Sequence, residues 1–256
     1  MNKFINKMKE FEVNIEAEVD TVVDWIKNKF KESGAKGAIL GMSGGVDCCT
    51  VARLLQKADI PVLLVKMPYG RSMDFAGDKK DANELIERFN FDSFTIDITD
   101  EVDMIVSRIN VNGVKLTEMA KANIMPRVRM TNLYAIGQAN GYLVVGTGNL
   151  SERTMGYFTK WGDGACDFNP LANFTKTEVK IMARYLEVPE RIITKAPSAN
   201  LWENQTDEDE MGMSYADLDR YILTGEGTDD IKEKVETAKK KVAHKNNPID
   251  VFKREI

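Results

Sequence analysis

The 256-residue chain contains a single histidine, His244, and three cysteines, Cys48, Cys49 and Cys166. One histidine excludes a Ser-His-Asp arrangement or a histidine-rich zinc site elsewhere in the chain. An odd cysteine count, with two of the three adjacent, suits a reducing compartment better than a disulfide framework. No apolar run approaches the ~20 residues needed to span a bilayer. The opening MNKFINKMKEFEVNIEAEVD has basic residues but neither an apolar core nor a small-residue cleavage site, so it is not expected to be a signal peptide. Net charge is −5, which gives no global basic field for nucleic acid. The expectation is a cytoplasmic protein without a nucleic-acid or membrane partner.

What is present is ordinary for a soluble globular enzyme, with 43% hydrophobic and 29% charged residues. Over residues 1–31, Ile5, Met8, Val19, Val22, Val23, Ile26 and Phe30 fall at near-helical intervals and predict an amphipathic opening helix. Strand patterns follow at 35–42, 61–67, 91–98 and 142–148. Helical patterns lie between them at 46–58, 74–89, 99–109 and 115–140. Pro126 predicts a kink or interruption in the last of these. Strand and helix in alternation predict a Rossmann-like α/β fold: one domain, with a mostly parallel sheet between two helical layers. Residues 149–174 read as loop. Thr175 and Glu178 form a capping-box pattern that opens another helix, and helices at 214–223 and 228–243 close the chain. The organisation expected is an N-terminal helix over about 1–32, a core over about 35–195, and C-terminal loop and helices over about 196–256.

Ligands of parallel sheets sit at the carboxyl ends of the strands. Two strand ends carry glycines, at 41–45 and 146–148, and are the expected walls of one site. Ser43-Gly44-Gly45-Val46-Asp47 leaves the first strand and enters a helix, so its backbone can approach a phosphate and the helix N-terminus can attract it. The loop has neither the lysine of a Walker loop nor a G-x-G-x-x-G pattern. A carboxylate such as Asp47 beside a phosphate cradle makes sense when a divalent cation lies between them.

The loop resembles the SGGxDS loop of the ATP pyrophosphatases, with Cys48 where that family usually has serine. A thiol is a weak donor, so one phosphate contact is expected to be softer. Further segments resemble the ammonia-dependent NAD synthetases within that superfamily: Asn123 to Met130 with Leu133-Tyr134, Gly146 to Glu152, Tyr157 to Asp167, Pro197 to Trp202, Gln205 to Gly212, and His244-Lys245. They occur in family order from about residue 20 to residue 250.

The resemblance implies roles. Gly41, Met42, Ser43, Gly44, Gly45, Val46, Asp47, Cys48, Thr147, Lys176 and Ser198 would contact ATP as co-substrate. Asp47 and Glu152 would hold Mg2+. Arg127, Lys160, Asp167, His244 and Lys245 would bind deamido-NAD, partly across a homodimer interface. Asp163 would lie near ammonia, and with Asp47 and Glu152 it forms the expected catalytic set. The implied reaction is transfer of AMP from ATP to the nicotinate carboxylate, with release of pyrophosphate. Ammonia then displaces AMP to give NAD. The pattern begins within the first few dozen residues, with no room ahead of it for an amidase domain, so free ammonia is the expected nitrogen donor unless a separate glutaminase partner supplies it. A tRNA-modifying relative is disfavoured by the absent C-x-x-C pair and basic appendage, and a non-catalytic ATP sensor by the intact Asp47 and Glu152.

Overall fold

The computed structural model describes residues 2–70, 76–196 and 207–254. In chain order the elements begin with α1 (Asn2–Val13), α2 (Ile15–Ser33), β1 (Gly37–Gly41), α3 (Val46–Lys57) and β2 (Val62–Lys66). Next come α4 (Ala76–Phe89), β3 (Asp92–Thr95), α5 (Thr99–Val111), α6 (Glu118–Ala122), α7 (Ile124–Asn140) and β4 (Tyr142–Val144). The chain continues through α8 (Leu150–Met155), α9 (Lys176–Tyr185), α10 (Glu190–Thr194), α11 (Asp207–Met211), α12 (Tyr215–Thr224) and α13 (Asp229–Asn246).

The strands form one sheet in the order β3-β2-β1-β4, and every pairing is parallel. Strand residues alternate faces, and the core divides accordingly. Ala38, Leu40 and Leu64 pack with α2, α3 and α9 on one side, through Ile26, Leu54 and Met182 among others. Ile39, Val65 and Val144 pack with α5 and α7 on the other, through Val102 and Val128. A smaller cluster of Met211, Met213, Tyr215, Leu218 and Val235 joins the C-terminal helices to one another. Among the described residues, no helix is long and apolar enough to cross a membrane.

From β1 the chain winds outward to β2 and β3, then returns across the sheet to β4 on the other side of β1. The reversal of winding opens a crevice between the carboxyl ends of β1 and β4, where α/β sheets bind ligands. The two glycine-bearing loops leave these two strands.

Several boundaries differ from the sequence reading, each for a local reason. The opening helix is two helices that meet at Asn14 (φ −97°, ψ 9°). Val19, Val22, Val23, Ile26 and Phe30 of α2 face the sheet core, whereas Phe4 of α1 is buried beside Arg220 of α12. One straight helix does not serve both partners. The helical pattern at 115–140 breaks at Asn123, and Pro126 falls in the first turn of α7. A missing N–H costs little there, because first-turn donors have no intrahelical acceptor. The third strand stops at Thr95 because Asp97 accepts the Thr99 N–H (2.9 Å) and starts α5. The fourth stops at Val144, and Val145 makes one further bridge to Phe168. The segment 149–174 is not all loop, since it contains α8. The short α10 also had no sequence reading.

Candidate active site

The loop after β1 is held from beneath. Met42 is buried and donates its N–H to Val65 O (2.9 Å), which fixes the path out of the sheet. Gly44 has φ +89°, a conformation that disfavours a side chain. Ser43 Oγ accepts the Gly45 N–H (3.2 Å), and Gly45 is the N-cap of α3 with no side chain to offer. The first-turn N–H groups of α3 are therefore left for an anion, and the helix dipole favours one.

Cys48 points inward. Its Sγ lies 3.1 Å from Gly45 O, 3.3 Å from Ser43 Oγ and 3.6 Å from Met42 Sδ. Pairing with the neighbouring Cys49 thiol, helped against burial by Ser43 and the loop amides, draws the Cys48 pKa down to about 7, whereas the same pairing, with burial, pushes Cys49 up. The side chain of Cys48 thus braces the loop from inside.

The opposing wall leaves β4 as Gly146-Thr147-Gly148. Gly146 has no room for a Cβ, which would sit 2.6 Å from Cys166 Sγ. Thr147 is half-buried. Asn149 then caps α8 in a capping box: its side chain accepts the Glu152 N–H (2.9 Å), and Glu152 Oε2 accepts the Asn149 N–H (3.2 Å). The same Asn149 donates from Nδ2 to Asp47 Oδ1 (2.9 Å). A fully buried asparagine thereby fastens one wall to the other.

Lys176, the first residue of α9, completes the cluster. Its Nζ donates to Asp47 Oδ2 (2.6 Å) and to Glu152 Oε1 (2.9 Å). Burial opposes the Lys176 charge, but the two carboxylates hold its pKa above the ordinary lysine value. Burial pushes Glu152 up to about 7, with Lys176 working against that rise and Asp47 adding to it. The Tyr215 ring lies 5.4 Å from the ammonium and bounds the cluster on the α12 side, with its hydroxyl donating to Asp207 Oδ2 (2.8 Å).

A second group of cations lies around α7 and α13. Arg127 is exposed and donates to Lys160 O (3.4 and 3.3 Å), while Lys160 Nζ donates to His244 O (2.6 Å). Lys160, Trp161, His244 and Asn247 to Asp250 line a cavity of about 460 Å³. Lys245 is turned inward and donates to Gly156 O (2.7 Å) and Phe158 O (2.8 Å). Burial lowers its pKa, and Asp163 partly offsets that. Asp163 is exposed as a residue, but its carboxyl group folds back to accept the Thr159 N–H (2.9 Å). Loss of solvent there raises its pKa. Arg129 donates to Met67 O at the end of β2 (3.0 Å) and feels the Asp163 charge.

The structure therefore brings Gly41 to Cys48, Glu152 and Lys176 to one place, and Arg127, Lys160, His244 and Lys245 to another. Asp163 belongs with the second group. Asp167 joins neither by a hydrogen bond. It accepts the Val144 N–H (2.7 Å) and the Tyr134 hydroxyl (3.3 Å) at the end of β4. Ser198 lies outside the described residues, as do the rest of Pro197 to Trp202 and the start of Gln205 to Gly212. Asn149 was missed as a site residue, although Asn-x-x-Glu at 149–152 is the same capping signal recognised at Thr175–Glu178. Tyr215 carries no such signal. Among the described residues no group of three or more His, Cys, Asp or Glu side chains is placed to hold a metal.

Comparison with known proteins identifies relatives over most of the chain. The family model described as NAD synthase matches residues 18–255. A protein of Carboxydothermus hydrogenoformans named NH(3)-dependent NAD(+) synthetase is 44% identical over 235 residues, covering 91% of this chain and 96% of its own length. Its namesake in Pyrococcus horikoshii is 44% identical over 205 residues, covering 79% and 77%. Among solved structures, the NMN synthetase from Francisella tularensis has a TM-score of 0.87 at 34% identity, covering 93% of this chain and 98% of that one. The NH3-dependent NAD synthetase from Campylobacter jejuni has a TM-score of 0.76 at 28% identity, covering 93% and 98%.

Proposed function

The chain belongs to the NAD synthase family, and we propose how its two side-chain clusters share the ATP-dependent amidation of deamido-NAD to NAD that the family carries out. The cluster between β1 and β4 takes ATP, and the cation group around Lys160 and His244 takes deamido-NAD. The observation that carries this division is the convergence of Asp47 and Glu152 on one cation beneath an uncapped helix N-terminus.

Two carboxylates that already share a cation fit Mg2+, which is usually bound by one or two carboxylates together with substrate phosphates. Asp47 and Glu152 would hold it, and it would neutralise phosphate charge as pyrophosphate departs. The chain's own groups account for the remainder. The loop from Ser43 to Cys48 and the first turn of α3 bind the pyrophosphate portion of ATP. Lys176 supplies a fixed positive charge beside the α-phosphate, in a buried setting where that charge acts strongly. Thr147 and Ser198 complete the nucleotide contacts.

Arg127, Lys160, His244 and Lys245 hold the phosphates and sugars of deamido-NAD so that its nicotinate carboxylate meets the α-phosphorus of ATP. A carboxylate oxygen bonds to that phosphorus, the α–β bridge breaks, and pyrophosphate leaves. The acyl adenylate then has a good leaving group. Ammonia bonds to the acyl carbon, AMP departs, and one proton is released. Asp163, with its raised pKa, attracts ammonium and accepts that proton. Asp167 orients the end of β4 beside the substrate.

The active form is a homodimer. Met104, Ile105, Val111, Val114 and Met119 are exposed apolar side chains on and around α5 and α6, which burial against a second copy would cover. A cytoplasmic location accords with the three free cysteines.

One observation favours a second reading. The TM-score of 0.87 belongs to a protein described as NMN synthetase, so the deamidated mononucleotide is a rival substrate. Incubation with magnesium, ATP and ammonium, and with deamido-NAD or the mononucleotide in turn, separates the two. A higher kcat/KM for deamido-NAD is expected, and preference for the mononucleotide would overturn the choice of substrate. Glutamine in place of ammonium is expected to give little product.

A further inference from the structure

Asp219 is fully buried, so it can touch neither nucleotide nor solvent, yet its carboxylate sits at the base of the ATP-side cluster. Oδ1 accepts the Ser151 hydroxyl (2.5 Å), and Oδ2 accepts both the Thr177 N–H (2.8 Å) and the Thr177 hydroxyl (2.6 Å). Ser151 Oγ in turn accepts the Lys176 N–H (3.0 Å). Ser151 precedes Glu152 in the first turn of α8, and Thr177 follows Lys176 in the first turn of α9. One carboxylate thus holds a side chain in the first turn of α8 and a first-turn N–H of α9, a donor that lacks an intrahelical acceptor and sits where the dipole favours negative charge.

The helix that carries Asp219 also bounds the cluster. Tyr215 lies one turn earlier on α12, on the same face, with its ring 5.4 Å from Lys176 Nζ. The outer side of α12 is held by α1, where Arg220 meets Phe4 at 5.8 Å. Burial leaves the Asp219 pKa raised in spite of its donors, so the group is held there against its own solvation.

We propose that Asp219 is a positioning residue for the ATP-side chemistry: by tying α8 to α9 it sets the distance between Glu152 and Lys176 and hence the geometry of both with Asp47. The proposal rests on the nucleotide assignment given above. Among the described residues, Lys160, His244 and the cavity beside them make no hydrogen bond to Asp219, Ser151 or Thr177, and Lys245 meets α8 at its far end, through Gly156 O. Binding of deamido-NAD is therefore expected to depend on the network far less than ATP binding does.

The test compares the parent with Asp219→Asn, Asp219→Ala and Ser151→Ala. The readouts are the thermal unfolding midpoint, ATP binding by calorimetry, kcat, and KM for ATP and for deamido-NAD. Asparagine keeps the shape and one acceptor but turns the other oxygen into a donor, so either Ser151 or Thr177 loses its acceptor. Asp219→Asn is expected to unfold close to the parent temperature while kcat/KM for ATP falls about tenfold. Asp219→Ala should fall about a hundredfold, with Ser151→Ala nearer the asparagine variant. KM for deamido-NAD should stay within about twofold throughout. Parent-like ATP binding and kinetics in Asp219→Asn, or equal losses for ATP and deamido-NAD, would overturn the proposal. If Asp219→Ala does not fold, the asparagine variant still decides. Parent turnover in the same assay tests the nucleotide assignment separately, because a parent without turnover fails before any variant is compared.

Discussion

Asn149 Nδ2 donates to Asp47 Oδ1 at 2.9 Å across 102 positions of sequence. This bond joins the loop after β1 to the loop after β4, and so makes one site of two strand ends. Asn149 also caps the helix that bears Glu152, which places both carboxylates under one side chain. Asn149→Ala is expected to lower kcat/KM for ATP by about tenfold or more. Lost capping should cost about 1 kcal/mol of stability. Steady-state kinetics and urea unfolding check the two effects, and an unchanged kcat/KM for ATP would remove the bridging role.

Lys176→Met should leave Asp47 and Glu152 facing each other in a site with little solvent. Removing one partner of a buried ion group costs about 3–5 kcal/mol. Urea unfolding at neutral pH should show a loss of that order, and a smaller one in acid, where Glu152 takes up a proton. Turnover is expected to fall at least about a hundredfold, since the positive charge proposed to act on the α-phosphate is gone. A stable and active variant would mean that Lys176 serves neither purpose.

Asp163 makes a prediction about pH. Its folded pKa is raised above 3.8, so the folded protein holds this proton more tightly than the unfolded chain. Stability from this group is therefore fully present below the unfolded value and is lost as pH rises through the folded one. Asp163→Asn keeps an acceptor for the Thr159 N–H but has no proton to lose. Urea midpoints followed upward from about pH 4 should fall more for the parent than for the variant. Turnover of the variant should drop, and a parent-like rate would exclude a role toward ammonia.

Cys48→Ser should be tolerated. The thiol lies 3.1 Å from Gly45 O and 3.3 Å from Ser43 Oγ, and a hydroxyl can make the same contacts with stronger hydrogen bonds. KM for ATP is expected to stay within about threefold or to improve. A large loss would show that sulfur itself is required.

Much of this site was legible in the chain because its parts are local signals. Ser43 to Asp47 is a glycine turn between an apolar strand and a helix, and Thr175–Glu178 is a capping box read correctly as a helix start. The parallel sheet followed from strand and helix in alternation. The helix α8 was missed although Asn149–Glu152 repeats the capping pattern, because its six residues are too few to show an apolar period. The split at Asn14 was missed because spacing shows that a face is apolar and not which partner it meets. Asp219 was invisible for a different reason. Its importance depends on donors 68 and 42 positions away, and a lone aspartate on a helix looks like a solvated residue.

The most direct test of the site follows phosphorus. Phosphorus NMR of the parent with magnesium, ATP, deamido-NAD and ammonium should show AMP and pyrophosphate formed in equal amounts with NAD. Asp47→Ala and Glu152→Ala, folded by circular dichroism, should form neither at a comparable rate. Release of ADP and phosphate, or AMP formation that persists when both carboxylates are removed, would contradict the assignment of the Asp47–Glu152–Lys176 cluster as the place where ATP is broken.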